Sequence, residues 1–240
     1  MSNLSNQSNL SKYSNISNLQ ILYEDNHIVI VNKKAGDIVQ GDKTGDIPLS
    51  EVVKQYIAEK HNKPGAVFLG VVHRLDRPTS GIVIFARTSK ALSRLNKLFA
   101  ERNTKKTYWA IVKDEPVIAS DTLIHFLKRN PKQNKSHAHK NEVPDSKKAI
   151  LDYQVVKKLD RYSLLEIDLK TGRHHQIRSQ LSSIGSPIKG DLKYGFDRSN
   201  KDGGIHLHSR KLSFIHPVKK EEINLIAPVP KDHLWKACVL

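Results

Sequence analysis

An unbroken apolar run, Ile82-Val83-Ile84-Phe85-Ala86, begins directly after Gly81 and constrains the fold more tightly than any other stretch of this chain. A run of that length with no polar position reads as a buried strand. Ahead of it lies His73-Arg74-Leu75-Asp76-Arg77-Pro78-Thr79-Ser80-Gly81. Pro78 restricts Arg77 to extended conformations and Gly81 permits a tight turn, so these residues read as a loop anchored to the core. The loop holds one carboxylate between two guanidinium groups, which favour its ionised form. Such an acid can act as nucleophile or base, and the flanking cations can hold a phosphate backbone. On these residues alone, a structural Asp–Arg salt bridge is the alternative.

Other segments fill in a fold around that strand. Ile21–Glu24 and His27–Asn32 read as strands about an Asp25-Asn26 turn, and Lys106–Val112, Ala149–Lys157 and Tyr162–Leu169 as further strands. Helical spacing marks Leu49, Val52, Val53, Tyr56 and Ile57 behind Pro48, predicting a helix over 49–61. Thr88 is a candidate N-cap for a helix to about Asn103, with Leu92, Leu95, Leu98 and Phe99 on its apolar face. Ile177, Leu181 and Ile184 mark a third, from about residue 174 to Gly185. The remainder reads as short strands and turns closing on a polar C-terminal piece. Many strands with few helices predict an α+β fold, with a mixed, mostly antiparallel sheet flanked by helices. A length of 240 residues suits one domain or two subdomains. Ser at 2, 5, 8, 11, 14 and 17 gives residues 1–19 a polar period of three, which predicts a disordered tail before a folded domain over 20–240.

Charge narrows the partners. The formal net charge is +16, from 40 Lys and Arg against 24 Asp and Glu, and an excess of that size favours a polyanion such as nucleic acid. Residues 128–148 alone carry seven Lys or Arg against two acids, a basic hairpin or loop that is a candidate RNA-facing insert; solvated charge is the alternative. Cys238 is the single cysteine, so no disulfide forms within the chain. Without a signal-peptide pattern or an apolar stretch of membrane length, a cytoplasmic protein is expected. His174-His175 and the His206, His208 pair lack the acidic companions of a zinc site, and neither G-x-G-x-x-G nor a P-loop is present. No metal and no cofactor are expected.

A second arginine motif, Gly172-Arg173-His174-His175-Gln176-Ile177-Arg178, places basic and amide side chains at a helix N-terminus, where anions bind well. Arg173, His174 and Gln176 are thereby candidate RNA contacts. If the two motifs meet in space, one arginine of the second can pair with Asp76.

His73-Arg74-Leu75-Asp76 followed by Thr79-Ser80-Gly81 closely resembles the signature loop of the RluA-type pseudouridine synthases. Three more stretches follow in the order of that family: Lys106-Thr107-Tyr108-Trp109-Ala110, Gly172 to Arg178, and Gly185-Ser186-Pro187-Ile188-Lys189-Gly190-Asp191 with Tyr194-Gly195. The match runs from about Ile21 to Pro228. The resemblance implies a cofactor-free isomerase of uridine in ribosomal or transfer RNA, which breaks the glycosidic N–C bond and rejoins the ring through carbon. It implies that Asp76 is the essential carboxylate, that Tyr108 stacks on the target base and moves a proton, and that Arg178 holds Asp76 ionised. It likewise implies that Arg74 fills the place the uridine leaves; Arg77, which supports the loop or the RNA backbone, and Lys106 are further candidate RNA contacts. Read without the family, Tyr108 is equally a core residue. The chain departs from the family in reading Asn32-Lys33-Lys34-Ala35-Gly36 where a Lys-Pro pair is usual, and Leu207-His208-Ser209 for Leu-His-Ala. Many relatives carry an S4 domain ahead of the core; here target choice is expected to rest on the core and its basic insert. Nothing demands a partner subunit, and a monomer is expected. The competing reading is a non-catalytic RNA-binding or ribosome-assembly protein, against which Asp76, Tyr108 and Arg178 together argue.

Overall fold

The computed structural model describes residues 14–42, 44–113, 116 and 118–239. They divide into two compact units, one of residues up to Thr104 with Lys211–Pro230, the other of Lys105–Arg210 with Lys231–Leu240. The fold is α+β, and each strand pairing described below is antiparallel.

In the first unit, β1 (Ile21–Glu24) pairs with β2 (Ile28–Lys33), β2 with β4 (Ser80–Ala86), and the short β3 (Gly70–Val71) also with β4. The apolar run of β4 is explained by what covers it. Ile82 and Ile84, with Ile28 and Ile30 of β2, face Ala91 and Leu95 of helix α2 (Ser89–Ala100). Val83 and Phe85, with Val29 and Val31, face Leu49, Val53 and Ile57 of helix α1 (Leu49–Lys60). Alternate side chains point to opposite faces, so a strand between two helices needs apolar residues at every position. Thr88 caps α2 as predicted, its side chain accepting the Ala91 N–H at 3.1 Å. At the edge, Glu24 gathers Lys60, His61, Tyr56 and Arg87 within 2.9 Å, fastening α1 to β1.

In the second unit the strands run in the order β5 (Thr104–Lys113), β9 (Tyr162–Leu169), β8 (Lys147–Lys158), β6 (Ser120–Asn130), β7 (Lys135–His139). Buried apolar residues line them: Tyr108, Ala110, Ile111 and Val112; Leu164, Leu165 and Ile167; Ala149, Leu151 and Tyr153; Leu123 and Leu127. Helix α3 (Gln176–Ser183) is tied to this sheet through Gln180, fully buried, whose amide donates to the Leu123 carbonyl at 3.1 Å. Strand β10 (Leu207–Ile215) begins in the second unit and ends in the first, where it pairs with β11 (Glu222–Ile226).

Two expectations are corrected. Residues 14–19 are ordered: Ile16–Asn18 form a 3-10 turn with a reciprocal Asn15/Asn18 capping box, and Ser14 donates from N–H and hydroxyl to Asp37. Short polar side chains that bond nearby backbone can order such a segment without any apolar period. The rest of the expected tail, 1–13, lies outside the described residues. The C-terminal piece is a helix, α4 (His233–Val239), capped by Asp232 and anchored by Trp235, which stacks on His206 at 5.4 Å and meets the edge of His208. The basic segment takes the hairpin form, built from the end of β6, which starts at Ser120, and from β7. Among the described residues no helix is long and apolar enough to cross a membrane.

Candidate active site

The functional residues expected from sequence fall into two groups, one in each unit. The first group, Arg74, Asp76 and Arg77, lies on the loop that enters β4. The Thr79 N–H bonds the Asp76 carbonyl at 3.0 Å, closing a turn over Arg77 and Pro78. The Arg77 carbonyl accepts the Gly36 N–H at 2.8 Å, which fastens the turn to the end of β2. Gly81 then takes φ +113°, a value open to glycine and strained for any other residue, so Asp76 can sit at the mouth of a buried strand. His73, stacked on Phe99 at 5.0 Å, accepts the Ile84 N–H at 3.2 Å and holds the other arm of the loop. Asp76 is half-buried, Arg74 is exposed, and Arg77 pairs with Asp46 on the loop before α1.

The second group stands at the start of α3 and on β5. His175, immediately before the helix, has left-handed backbone angles (φ 51°, ψ 29°), which turn the chain sharply from Gly172 into the helix. Arg178, buried, donates from Nε and Nη2 to the two carboxylate oxygens of Asp191 at 2.7 and 2.9 Å. Its guanidinium lies 5.0 Å from the centre of the Tyr194 ring, with Lys135 Nζ at the same distance. Tyr194 Oη accepts the Ser136 N–H at 2.8 Å and shares a hydrogen bond with His175 Nδ1 at 3.0 Å. Next to it, His174 bridges Ser136 Oγ (2.9 Å) and Asn134 Oδ1 (3.2 Å) at the tip of the β6–β7 hairpin. Tyr108 is buried on β5, opposite Ile167 of β9. Lys106, two residues earlier, brings its ammonium close to Gly172.

Gln176 is a correction. It was expected to touch RNA, yet it is 3% exposed and both ends of its amide are bound within the protein. Oε1 accepts from Thr171 Oγ1 and the Arg173 N–H, and Nε2 donates to the Ile150 carbonyl. Gln176 braces the turn because a buried amide needs every one of these partners. Arg173 spends its Nε on the Lys148 carbonyl at 3.1 Å and remains partly exposed. Three residues that organise the groups had no role assigned from the sequence. Asp191 and Tyr194 sit in a motif that was noticed, but no local pattern marks them as partners of Arg178. Lys33 did leave a signal: it falls in phase with Val29 and Val31 on the buried face of β2.

Residues 27–183 match the family described as RNA pseudouridylate synthase. The chain is 33% identical over 216 residues to an uncharacterized RNA pseudouridine synthase of Synechocystis sp., covering 88% of this chain and 66% of that protein. It is 32% identical to ribosomal large subunit pseudouridine synthase D of Xylella fastidiosa, over 89% of this chain and 67% of the relative. With tRNA pseudouridine synthase C of Vibrio parahaemolyticus it shares 29% identity, over 91% and 92% of the two chains. The chain thus spans about two thirds of the length of the first two relatives. The solved structure of human RNA pseudouridylate synthase domain containing 4 is similar in fold, with TM-score 0.76 at 24% identity over 98% of this chain and 97% of the other.

Proposed function

Since the chain belongs to the RNA pseudouridylate synthase family, a family of RNA isomerases, we propose that it converts a uridine of ribosomal or transfer RNA to pseudouridine with Asp76 as the essential carboxylate. The observation that carries this reading is Asp76 itself: a carboxylate on a turn whose main chain is fastened on both sides, inside a family match. The reaction is an isomerisation. The N1–C1′ bond breaks, C5 of the detached ring bonds to C1′ and gives up its proton, and N1 gains one. Asp76 serves the sugar end of that exchange, Tyr108 stacks on the base and moves the C5 proton, and Arg178, oriented by Asp191, supplies positive charge. A uridine within stacked RNA must leave the stack to meet such groups, and stacking on an aromatic ring contributes about 1–3 kcal/mol to holding it. Arg74 takes the vacated place, while Arg77, Lys106, Arg173 and His174 hold the backbone, in keeping with a net charge of +16.

Asp76→Asn changes charge and hardly changes shape. It should lower kcat by about 10³-fold or more, the scale of a lost acid–base or nucleophilic group, while RNA affinity stays within a few-fold. Full turnover by the Asn variant would overturn the assignment. Mapping pseudouridines in RNA from cells with and without the protein identifies the target; a protein that binds these RNAs and modifies none is instead a binding or assembly factor.

A further inference from the structure

The sheet of the second unit has two unlike faces. Along β6, Leu123, His125 and Leu127 are buried on the face that meets Gln180 of α3, while Ile124 between them is 49% exposed. Side chains alternate along a strand, and cross-strand partners share a face. On the open face Phe126 lies between Lys148 of β8 and His139 of β7, and Lys128 lies opposite His137. Ile124 and Ile150 form the next row, Thr122 and Asp152 the one beyond. In that last row charge is matched: Asp152 accepts from Thr122 and pairs with Lys170, which also pairs with Asp168. Around Phe126 it is not matched. No Asp or Glu stands in the rows of Phe126 and Lys128, and Glu142 and Asp145 lie on the loop that joins β7 to β8. Among the described residues, the side chains of Lys128, Lys148, His137 and His139 make no hydrogen bond or ion pair.

We propose that this open face of β6, β7 and β8 is a second RNA-binding surface, which takes an unpaired stretch of the substrate RNA beside the target uridine. A base stacks on Phe126, and phosphates rest on Lys128 and Lys148. The proposal rests on the chain's being an RNA isomerase. Its physical basis is the mixture of groups: unmatched cations hold a phosphate backbone, while Phe and His rings offer faces to bases that have left a helical stack. The dimensions suit a strand laid across the sheet. Neighbouring strands about 4.8 Å apart set Lys148 and His139 about 10 Å apart with Phe126 between them, and the row of Lys128 follows about 7 Å along. Phe126, Lys128 and His139 are partly exposed, and Lys148 and His137 are exposed. The face also adjoins the candidate active site, because Arg173 donates from Nε to the Lys148 carbonyl at 3.1 Å. A backbone held at Arg173 therefore continues past Lys148 onto the sheet. With no carboxylate in the two rows, the face binds RNA without modifying it.

Photo-crosslinking of a single-stranded 4-thiouridine oligonucleotide to the whole chain, followed by peptide mapping, should mark Phe126, His137 or His139. Affinity for a fluorescent oligouridylate should fall about 5–150-fold in Phe126→Leu, the share of one stacked base, and stay within about two-fold in Phe126→Tyr, which keeps the ring. Lys128→Gln together with Lys148→Gln should flatten the slope of log affinity against log salt by about 1.4, at about 0.7 for each phosphate contact. Lys63→Gln together with Lys90→Gln removes the same charge from exposed positions of the first unit and should leave that slope nearly unchanged. With in-vitro-transcribed ribosomal and transfer RNA as substrate, Phe126→Leu and the Lys128, Lys148 pair should raise KM while kcat at saturation holds.

Crosslinks found only outside β6, β7 and β8 would overturn the proposal, as would wild-type affinity in Phe126→Leu. An equal change of slope in both lysine pairs also rejects it, since net charge alone then accounts for the binding. Duplex RNA that loses as much affinity as the oligouridylate in Phe126→Leu rejects an unpaired strand as the occupant. If Phe126→Leu does not fold, crosslinking and the two lysine pairs decide. A wild type that modifies no RNA rejects the proposed function instead, and the oligonucleotide measurements still judge this face.

Discussion

The turn carrying Asp76 and the helix start carrying Arg178 are fastened in different ways. Around Asp76 the fastening runs mostly through main-chain atoms: Thr79 N–H to Asp76, Gly36 N–H to Arg77, and three carbonyls on the buried Lys33. Around Arg178 it runs through side chains: two bonds to Asp191, the Tyr194 ring beneath, and a path from Tyr194 Oη to Ser136 and His175. Main-chain bonds survive most substitutions, because every residue except proline brings the same groups. Side-chain networks in a low-dielectric interior do not, because removing one member strands another. The second region should therefore tolerate single changes far less well than the first.

Asp191→Ala tests that contrast most severely. It leaves the Arg178 guanidinium buried without its carboxylate and should cost about 3–5 kcal/mol in urea unfolding. A loss near zero would mean that Asp191 orients nothing. Tyr194→Phe keeps the ring but removes the oxygen shared by Ser136 and His175, at about 1–3 kcal/mol for the stranded buried N–H. In the first region Gly81→Ala should be the costly change, at roughly 1–2 kcal/mol, because φ +113° is a backbone constraint. Asp46→Ala, which deletes only the partly exposed pair with Arg77, should cost about 1 kcal/mol at most, less at high salt.

Acid sharpens the comparison without mutation. Burial pushes the Glu24 carboxyl up, but bonds from His61, Lys60 and Tyr56 outweigh it and hold it at about 2, against an ordinary 4.5. Asp25 behaves alike: burial raises it, while the His27 and Ile28 N–H groups and Lys219 bring it to about 2 from 3.8. Both values are lowered, so their stabilisation is complete above the ordinary values and is lost as pH falls towards about 2. Both carboxylates belong to the first unit, whereas both tryptophans, Trp109 and Trp235, belong to the second. On acidification, far-UV circular dichroism should report the loss of these bonds, and tryptophan fluorescence that of Asp232, which caps α4 at Trp235 and is likewise held below its ordinary value. Coincident curves would show that the two units lose their structure as one.

Much of the fold was legible because its signals are local. Alternation in β2, the unbroken run of β4, the apolar spacing of α1 and the Thr88 cap each reflect a residue's own neighbours in the chain. The early order at Ser14 was not legible, since it depends on Asp37 far along the sequence, nor was α4, whose Trp235 rests on histidines of another segment. The sites show the same division. Asp76 and Arg178 stood out by motif, yet the inward turn of Gln176 needed Thr171 and Ile150 to be brought beside it.

By itself, then, the sequence determined many of the segments that become strands and helices, the surplus of positive charge, and the residues able to carry the chemistry. Backbone sterics, side-chain period and formal charge act over a few residues and are written locally. Only the tertiary structure decided that Lys33 lies within a cage of three carbonyls and that Asp191 claims the Arg178 guanidinium. A buried polar group takes its role from whatever distant segments replace the water around it, and a linear reading of the chain does not list those neighbours.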